Sequence, residues 1–353
     1  MPPLPDLLGL SMDELKALTA EAGQPVFRAR QLFKWLYADG VESTEAMTNL
    51  PAGFRGWIAE RYAQPVADAE VARTAGDGSR KLLHRLADGK AVESVLMPER
   101  DWTTLCVSSQ VGCAVACTFC MTGFGGFRRQ MTVGEIVGQV LAARRVAAAD
   151  GGAPPRNIVF MGMGEPMLNL DAVIPALRIL IDHDGPAIAP RRITVSTSGI
   201  IPGIERLGAE DLGVNLAISL NASNDAFRDE VMPINRKYPI AELLDACRRF
   251  PLRNRRLITF EYVMLAGLND GLDQADELAA LLADMPGKIN LIPWNPDPHL
   301  PYRRPPDHVV RRFQSRLATT GHAVTVRFSK ADDVGGACGQ LAGHWKAEQE
   351  LPA

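Results

Sequence analysis

The chain has no apolar run near the roughly 20 residues that a membrane-spanning helix needs, which excludes an integral helical membrane protein. Its start has no basic stretch followed by an apolar one, so no secretion signal is expected and the reading is cytoplasmic. It has no positive excess. Against 38 Lys and Arg stand 41 Asp and Glu, a net charge of −3, which excludes a strongly basic nucleic-acid binder. Local arginine clusters can still meet phosphate, because that depends on where charge lies and not on its total. Internal repeats and low-complexity tracts are missing as well. Disorder is expected only at the ends, in the Pro-rich residues 1–8 and the short polar residues 348–353. What is there is ordinary globular composition, 46% hydrophobic and 22% charged over 353 residues, enough for one large domain and a smaller one.

Residues 10–62 read as helical. Ser11-Met12-Asp13-Glu14 is a helix start, with Ser11 as N-cap and Glu14 at the third position. Phe27, Leu32, Phe33, Trp35 and Leu36 make an apolar stripe, and Pro51 opens another short helix. The texture changes from 69 to 105. Residues 81–86 and 91–97 around Asp88-Gly89 predict a hairpin, and 105–108 one more strand. Beyond that, short β-branched runs at 157–161, 193–196, 214–220, 257–264, 288–292 and 324–328 alternate with helical patterns. Those patterns fall at 133–149, 170–181, 240–250, 272–283 and 306–319. Such alternation predicts an α/β fold with a parallel sheet, closed as a barrel or open.

The six cysteines are Cys106, Cys113, Cys117, Cys120, Cys247 and Cys338, four of them within fifteen residues. In a cytosolic chain, ligands or catalysts are a better reading than structural disulfides. Cys113-Ala-Val-Ala-Cys117-Thr-Phe-Cys120 is CxxxCxxC, three thiolates able to hold three corners of a [4Fe–4S] cubane. The fourth iron is left open for the amino and carboxylate groups of S-adenosylmethionine (SAM). One-electron reduction can then break the carbon–sulfur bond and release a 5′-deoxyadenosyl radical. The competing reading is structural zinc, which usually takes four ligands as two CxxC pairs; no second pair exists.

Strand ends supply the other candidates. Gly162-Met163-Gly164-Glu165-Pro166 follows one strand, where glycine lets a ligand approach the backbone and Glu165 adds charge. Ser196-Thr197-Ser198-Gly199, Ser219-Leu220-Asn221 and Pro293-Trp294-Asn295-Pro296 end later strands and offer hydroxyls and amides suited to ribose and adenine edges.

CxxxCxxC followed by GMGEP, STSG and a late Ala-Cys-Gly-Gln resembles the dual-specificity 23S rRNA and tRNA adenine-C2 methyltransferase family, the RlmN type. Matching text runs through Leu105-Cys-Val-Ser-Ser-Gln-Val-Gly-Cys113, Met232-Pro-Ile-Asn235, Glu261-Tyr-Val-Met264, Asn290-Leu-Ile-Pro-Trp-Asn295 and Ala337-Cys-Gly-Gln-Leu-Ala-Gly343. Phe27-Arg-Ala-Arg-Gln-Leu-Phe33 and Met47-Thr-Asn-Leu50 are similar to its N-terminal domain.

The resemblance implies a partial (β/α)6 radical-SAM barrel over residues 105–345. A helical, RNA-binding domain would span 1–66 and a β extension 67–104. It implies the cluster on Cys113, Cys117 and Cys120, and SAM, two per turnover, on Gly164, Glu165, Ser196, Ser219, Leu220, Asn221 and Asn295. Cys338 would receive a methyl group and then carry a covalent RNA adduct. Cys106 would resolve the adduct through a disulfide, and Glu93 would accept a proton. Implied partners are 23S rRNA, tRNA and an electron donor such as flavodoxin or ferredoxin, with the chain a monomer. One departure is Asn221, where the family pattern has His; Asn hydrogen-bonds but does not titrate. Cys338 lies in Gly335-Gly-Ala-Cys-Gly339, which predicts a mobile, reactive thiol. Cys247 has no motif around it and reads as core or surface.

Arginine pairs that suit phosphate are Arg128-Arg129, Arg191-Arg192, Arg253 with Arg255-Arg256, Arg303-Arg304 and Arg311-Arg312. Other readings are methylation of adenine carbon 8, as in the related antibiotic-resistance branch, a radical SAM activase acting on protein, and a noncatalytic iron–sulfur RNA-binding module. The activase gives Cys106 and Cys338 no task.

Overall fold

The computed structural model describes residues 4–64, 66–100, 102–253, 256–328 and 330–342. Arg255, the polar C-terminal residues 348–353 and the end of the expected barrel at 343–345 lie outside them.

The N-terminal region is helical, as its periodicity predicts, with helices at Met12–Glu21, Phe27–Phe33 and Ala52–Arg61. The capping box at its start is formed: the Glu14 amide donates to Ser11 Oγ at 3.3 Å, and the Ser11 amide to Glu14 Oε2 at 2.7 Å. A three-stranded antiparallel unit follows, of β1 (Glu70–Thr74), β2 (Arg80–Arg85) and β3 (Ala91–Pro98). The expected Asp88-Gly89 hairpin joins β2 to β3. β3 in turn pairs antiparallel with β4 (Thr103–Cys106). A two-stranded ribbon of β5 (Gln110–Gly112) and β6 (Phe127–Gln130), not legible in the sequence, stands apart from the main sheet.

From β4 the main sheet is parallel. It runs through β7 (Pro155–Phe160), β8 (Ile193–Thr197), β9 (Asn215–Ser219), β10 (Ile258–Met264), β11 (Gly287–Pro293) and β12 (Ala323–Val326). β4 and β12 do not pair, so the curved sheet is an open, partial barrel with helices between its strands. Ile158, Ile193, Val195, Leu216, Ile218, Ile258, Phe260, Ile289 and Leu291 are all at most 1% exposed. Each such side chain contributes about 1.5–3 kcal/mol relative to an exposed one. The alternation of strand side chains turns Ser196, Ser219 and Glu261 to the other face, where they line one cavity.

The helical region and the barrel share one continuous core, which runs from Leu7 and Leu15 to Phe313 and Leu317. This corrects the expectation of disorder in residues 4–8: Leu7 and Leu8 are 0% and 4% exposed. They are buried because the backbone at Leu8 lies against the start of the helix Val133–Ala149. A Cβ on Gly134 would come within 2.2 Å of the Leu8 carbonyl, so glycine is what permits the approach. Arg30, on the helix Phe27–Phe33, forks onto Asp184 of the barrel at 2.5 and 2.9 Å, and Lys34 joins at 3.1 Å. Among the described residues no helix is long and apolar enough to cross a membrane.

Asp184 tests this clasp. Its hydrogen bonds to Arg30 hold the carboxyl at about 2, below the usual carboxylate range, against an opposing push from burial and with help from Lys34. A carboxyl depressed by folding contributes stability that is present above about pH 4 and lost as pH falls through about 2. Asp184→Asn is therefore expected to lower the melting temperature at pH 7, with the gap to the parent chain closing between about pH 4 and 2. Thermal melts over that range check it.

Candidate active site

β4 delivers Cys106, and the segment leaving β5 carries the other three clustered cysteines. The loop is pinned at both ends. The Cys113 amide donates to Gly126 O at 3.1 Å and the Thr118 amide to Val231 O at 3.0 Å. Between them Ala116 sits at φ 56°, a left-handed conformation that a non-glycine residue holds only where its surroundings impose it. Cys113, Cys117 and Cys120 line a cavity of about 150 Å³, together with Gly164, Glu165, Ser196, Ser219, Asn221, Asn295 and Cys338.

The donor set separates zinc from a cluster. Four ligands about 2.3 Å from one zinc stand roughly 3.8 Å apart in a tetrahedron. Among the described residues the three sulfurs do not all fall within 4.8 Å of one another. They are not gathered as tightly as the ligands of one zinc, and three thiolates with no fourth protein ligand are the donor set of a cubane with one open iron. Burial pushes the Cys113 thiol up to about 12 and raises Cys117 as well, so these ligands shed protons as metal binds.

The walls come from successive strand ends. At Gly164, φ is 97° and a Cβ would lie 2.4 Å from the Gln110 Cβ, so only glycine fits there. Glu165 is 4% exposed, and burial raises its carboxyl. Its Oε2 accepts from the Ser198 amide and hydroxyl, both at 2.7 Å, and its Oε1 from the Met167 amide at 3.0 Å. That carboxylate therefore holds the strand ends together. Asn221 lies at φ 59°; its Oδ1 accepts the Val263 amide at 2.9 Å and its Nδ2 meets Met232 Sδ. Leu220 is wholly buried and does not line the cavity. Asn295 Nδ2 donates to Cys338 O at 3.0 Å, while its Oδ1 is buried without a partner.

Cys338 meets Cys106 in a second, small cavity of about 20 Å³, shared with Val95, Met161 and Arg327. Met161 and Cys338 line both cavities. Burial pushes the Cys106 thiol up to about 12; it raises Cys338 too, with Arg327 opposing. Against the expectation of a mobile thiol, the irregular segment around Cys338 is tied down. Gly339 O accepts from the Met121 amide at 2.7 Å and Leu341 O from Thr122 Oγ1 at 2.6 Å. Glu93 is on β3, two residues from Val95, which pairs with Cys106. Its carboxylate meets Lys81 Nζ at 3.0 Å and accepts the Ala342 amide at 3.0 Å. It lines neither cavity. Cys247 is core, 1% exposed.

Sequence reasoning passed over three charged groups. Glu261 is a lone charge inside an apolar strand, and that break in pattern is the signal that could have found it. Arg228 is 0% exposed, with its guanidinium bonded to Leu220 O, Ser198 O and Asn235 Oδ1 at 2.7–3.0 Å. Arg327 touches the sulfurs of Met161 and Met97 and stands beside both thiols. No local pattern marks either arginine. Of the arginine candidates, Arg129 is committed to Asp88 and Glu135, Arg253 to Asp211, and Arg256 to Gly213 O. Arg304 stacks over Phe328 and Arg192 bonds Asn157.

An open parallel barrel with a three-cysteine loop at its mouth defines a radical SAM enzyme. Residues 107–282 match the family described as the Radical SAM superfamily, and residues 5–63 match the ribosomal RNA large subunit methyltransferase N-terminal domain. A dual-specificity RNA methyltransferase RlmN from Geobacter sulfurreducens is 51% identical over 96% of this chain and 92% of its own length. Another from Anaeromyxobacter sp. is 50% identical over 96% and 91%. The crystal structure of a radical SAM methyltransferase from Sphaerobacter thermophilus superposes with a TM-score of 0.89 at 45% identity, covering 96% of this chain and 99% of that one. The chain belongs to the RlmN family of radical SAM methyltransferases.

Removing the Arg228 guanidinium would strand buried carbonyls of β9 and the Ser198 turn. Arg228→Ala is expected to cost about 4 kcal/mol of stability. Chemical denaturation checks it.

Proposed function

We propose that this enzyme methylates carbon 2 of adenine in 23S rRNA, in the peptidyl-transferase region, and in tRNA, at the adenine next to the anticodon. Family membership supports the substrate class. The observation that carries the chemistry is the meeting of Cys338 with Cys106 in one cavity that adjoins the cysteine loop.

Cys113, Cys117 and Cys120 would hold the [4Fe–4S] cluster, which when bound supplies one-electron reductive cleavage of SAM. In this reading Gly164 admits SAM close to the backbone. Ser196, Ser219, Asn221 and Asn295 offer polar atoms to it, while Glu165 and Leu220 hold the strand ends in place. Cys338 would take a methyl group from one SAM as a thioether, leaving S-adenosylhomocysteine, and that methyl would then give up one hydrogen atom to the 5′-deoxyadenosyl radical supplied by a second SAM, so two are used per turnover. The resulting carbon radical would add to adenine carbon 2, which links Cys338 covalently to RNA, and the one surplus electron would leave to the cluster that supplied it. Glu93 accepts the proton lost from that carbon. The Cys106 thiolate attacks the Cys338 sulfur, the carbon–sulfur bond breaks toward the base, and a Cys106–Cys338 disulfide remains for an external reductant.

The division into an RNA-binding unit at 1–66, a β extension at 67–104 and a catalytic barrel at 105–345 belongs to the same reading. So do a monomeric, cytoplasmic enzyme and a flavodoxin or ferredoxin as electron donor. Arg128, Arg191, Arg303, Arg311 and Arg312 have no carboxylate partner among the described residues and remain available to phosphate.

Anaerobic turnover on rRNA fragments and tRNA, followed by mass spectrometry of the nucleosides, is expected to yield 2-methyladenosine. 8-Methyladenosine would assign the other carbon, and unmodified RNA with an intact cluster would defeat the proposal. Cys338→Ala is expected to abolish the methylated product and keep its iron, whereas Cys113→Ala loses iron. Cys106→Ala is expected to accumulate protein–RNA adduct, visible as a shifted band on a denaturing gel.

A further inference from the structure

Among the described residues Glu261 is the one buried carboxylate at this cavity with an oxygen still open. It is 6% exposed, and its Oε2 accepts the hydroxyl of Ser196 at 3.0 Å and, more weakly, that of Ser219 at 3.5 Å. No donor among the described residues reaches its Oε1. Glu165 differs, because three protein donors already fill its oxygens. The serines feel a consequence. A hydroxyl has one proton to give, so a serine that donates to Glu261 can offer a ligand only its lone pairs. Nearby, Asn295 Oδ1 is a buried acceptor without a partner. This wall of the cavity therefore presents acceptors and asks for donors.

A pair of neighbouring hydroxyls meets that demand, and a buried carboxylate is a recurrent partner of ribose hydroxyls in nucleotide sites. Glu261 also faces the cavity of Cys113, Cys117 and Cys120, not the small one that holds Cys106. We propose that Glu261 is a SAM-binding residue whose open oxygen, with the lone pairs of Ser196, accepts the 2′- and 3′-hydroxyls of the SAM ribose. This rests on the reading that the larger cavity binds SAM.

The test uses the anaerobically reconstituted, cluster-loaded full chain and equilibrium dialysis. The probes are S-adenosylhomocysteine and its 2′-deoxy and 3′-deoxy counterparts. The parent chain is expected to bind at least one deoxy analogue about tenfold or more weakly. In Glu261→Ala the larger of the two penalties is expected to fall to about twofold or less, while any contribution of Ser196 remains. Glu261→Gln, which keeps the shape and loses the charge, is expected to reduce that penalty severalfold and serves where alanine prevents folding. Filter binding of tRNA is expected to be unchanged in either variant. A penalty of the same size in both variants would overturn the assignment, as would a parent chain indifferent to both deoxy changes. Loss of tRNA binding with an intact deoxy penalty would place the target nucleotide against Glu261 and overturn it as well. A loaded parent chain that binds none of the three ligands would sink the SAM reading itself, and Glu261 with it.

Discussion

Two carbonyls near the end of the chain hold the site together. Gly339 O accepts the Met121 amide and Cys338 O accepts the Asn295 amide side chain. These bonds lay the C-terminal segment across the open mouth of the barrel, and Gln340 to Pro296 O and Ala342 to Glu93 fasten it further. Each contributes only about 1 kcal/mol net. Together they oppose the entropy of closing a very long loop, which grows slowly with its length. Cys338 stands beside Cys106 and the cysteine loop only because this segment is closed.

The barrel interior carries polar side chains among apolar ones, whereas its outside is apolar. Strand alternation sends Ile, Val, Leu and Phe outward to the helices and Ser196, Ser219 and Glu261 inward. Buried polar groups are costly unless they are bonded. Arg228 answers the carbonyls of Ser198 and Leu220, and Ser198 and Met167 answer Glu165. At the larger cavity Asn295 Oδ1 is buried without a partner and Glu261 Oε1 receives no donor among the described residues, and these two mark where a ligand is wanted. Bonds already satisfied inside the protein thus single out the few that are not.

The helical N-terminal region is no loose appendage. It shares a core with the barrel, and Arg30, Lys34 and Asp184 form a charged clasp over the contact. From such a position it acts as a fixed extension of the barrel. Orientation is then set by packing, which leaves less to order on binding.

Much of this was legible in the residues alone. The capping box at Ser11, the hairpin around Asp88-Gly89 and the run of parallel strands rest on local chemistry, and local chemistry is written in neighbouring positions. CxxxCxxC likewise announces itself, because three ligands to one group must lie close in sequence on a short loop. The ribbon of β5 and β6 escaped notice because its strands are too short to show a period, and Leu7 and Leu8 because composition alone does not show what they pack against. Arg228, Arg327 and Glu261 each look like a solvated charge until the sheet curls around them. The sequence by itself therefore determined most of the elements, the cysteine triad and the family. Only the tertiary structure decided that Cys338 lies against Cys106, that both oxygens of Glu165 are bonded while one of Glu261 is open, and that the three sulfurs are not gathered as tightly as the ligands of one zinc. Those are distances between residues remote in the chain, and they are set by how the sheet curves and the helices pack.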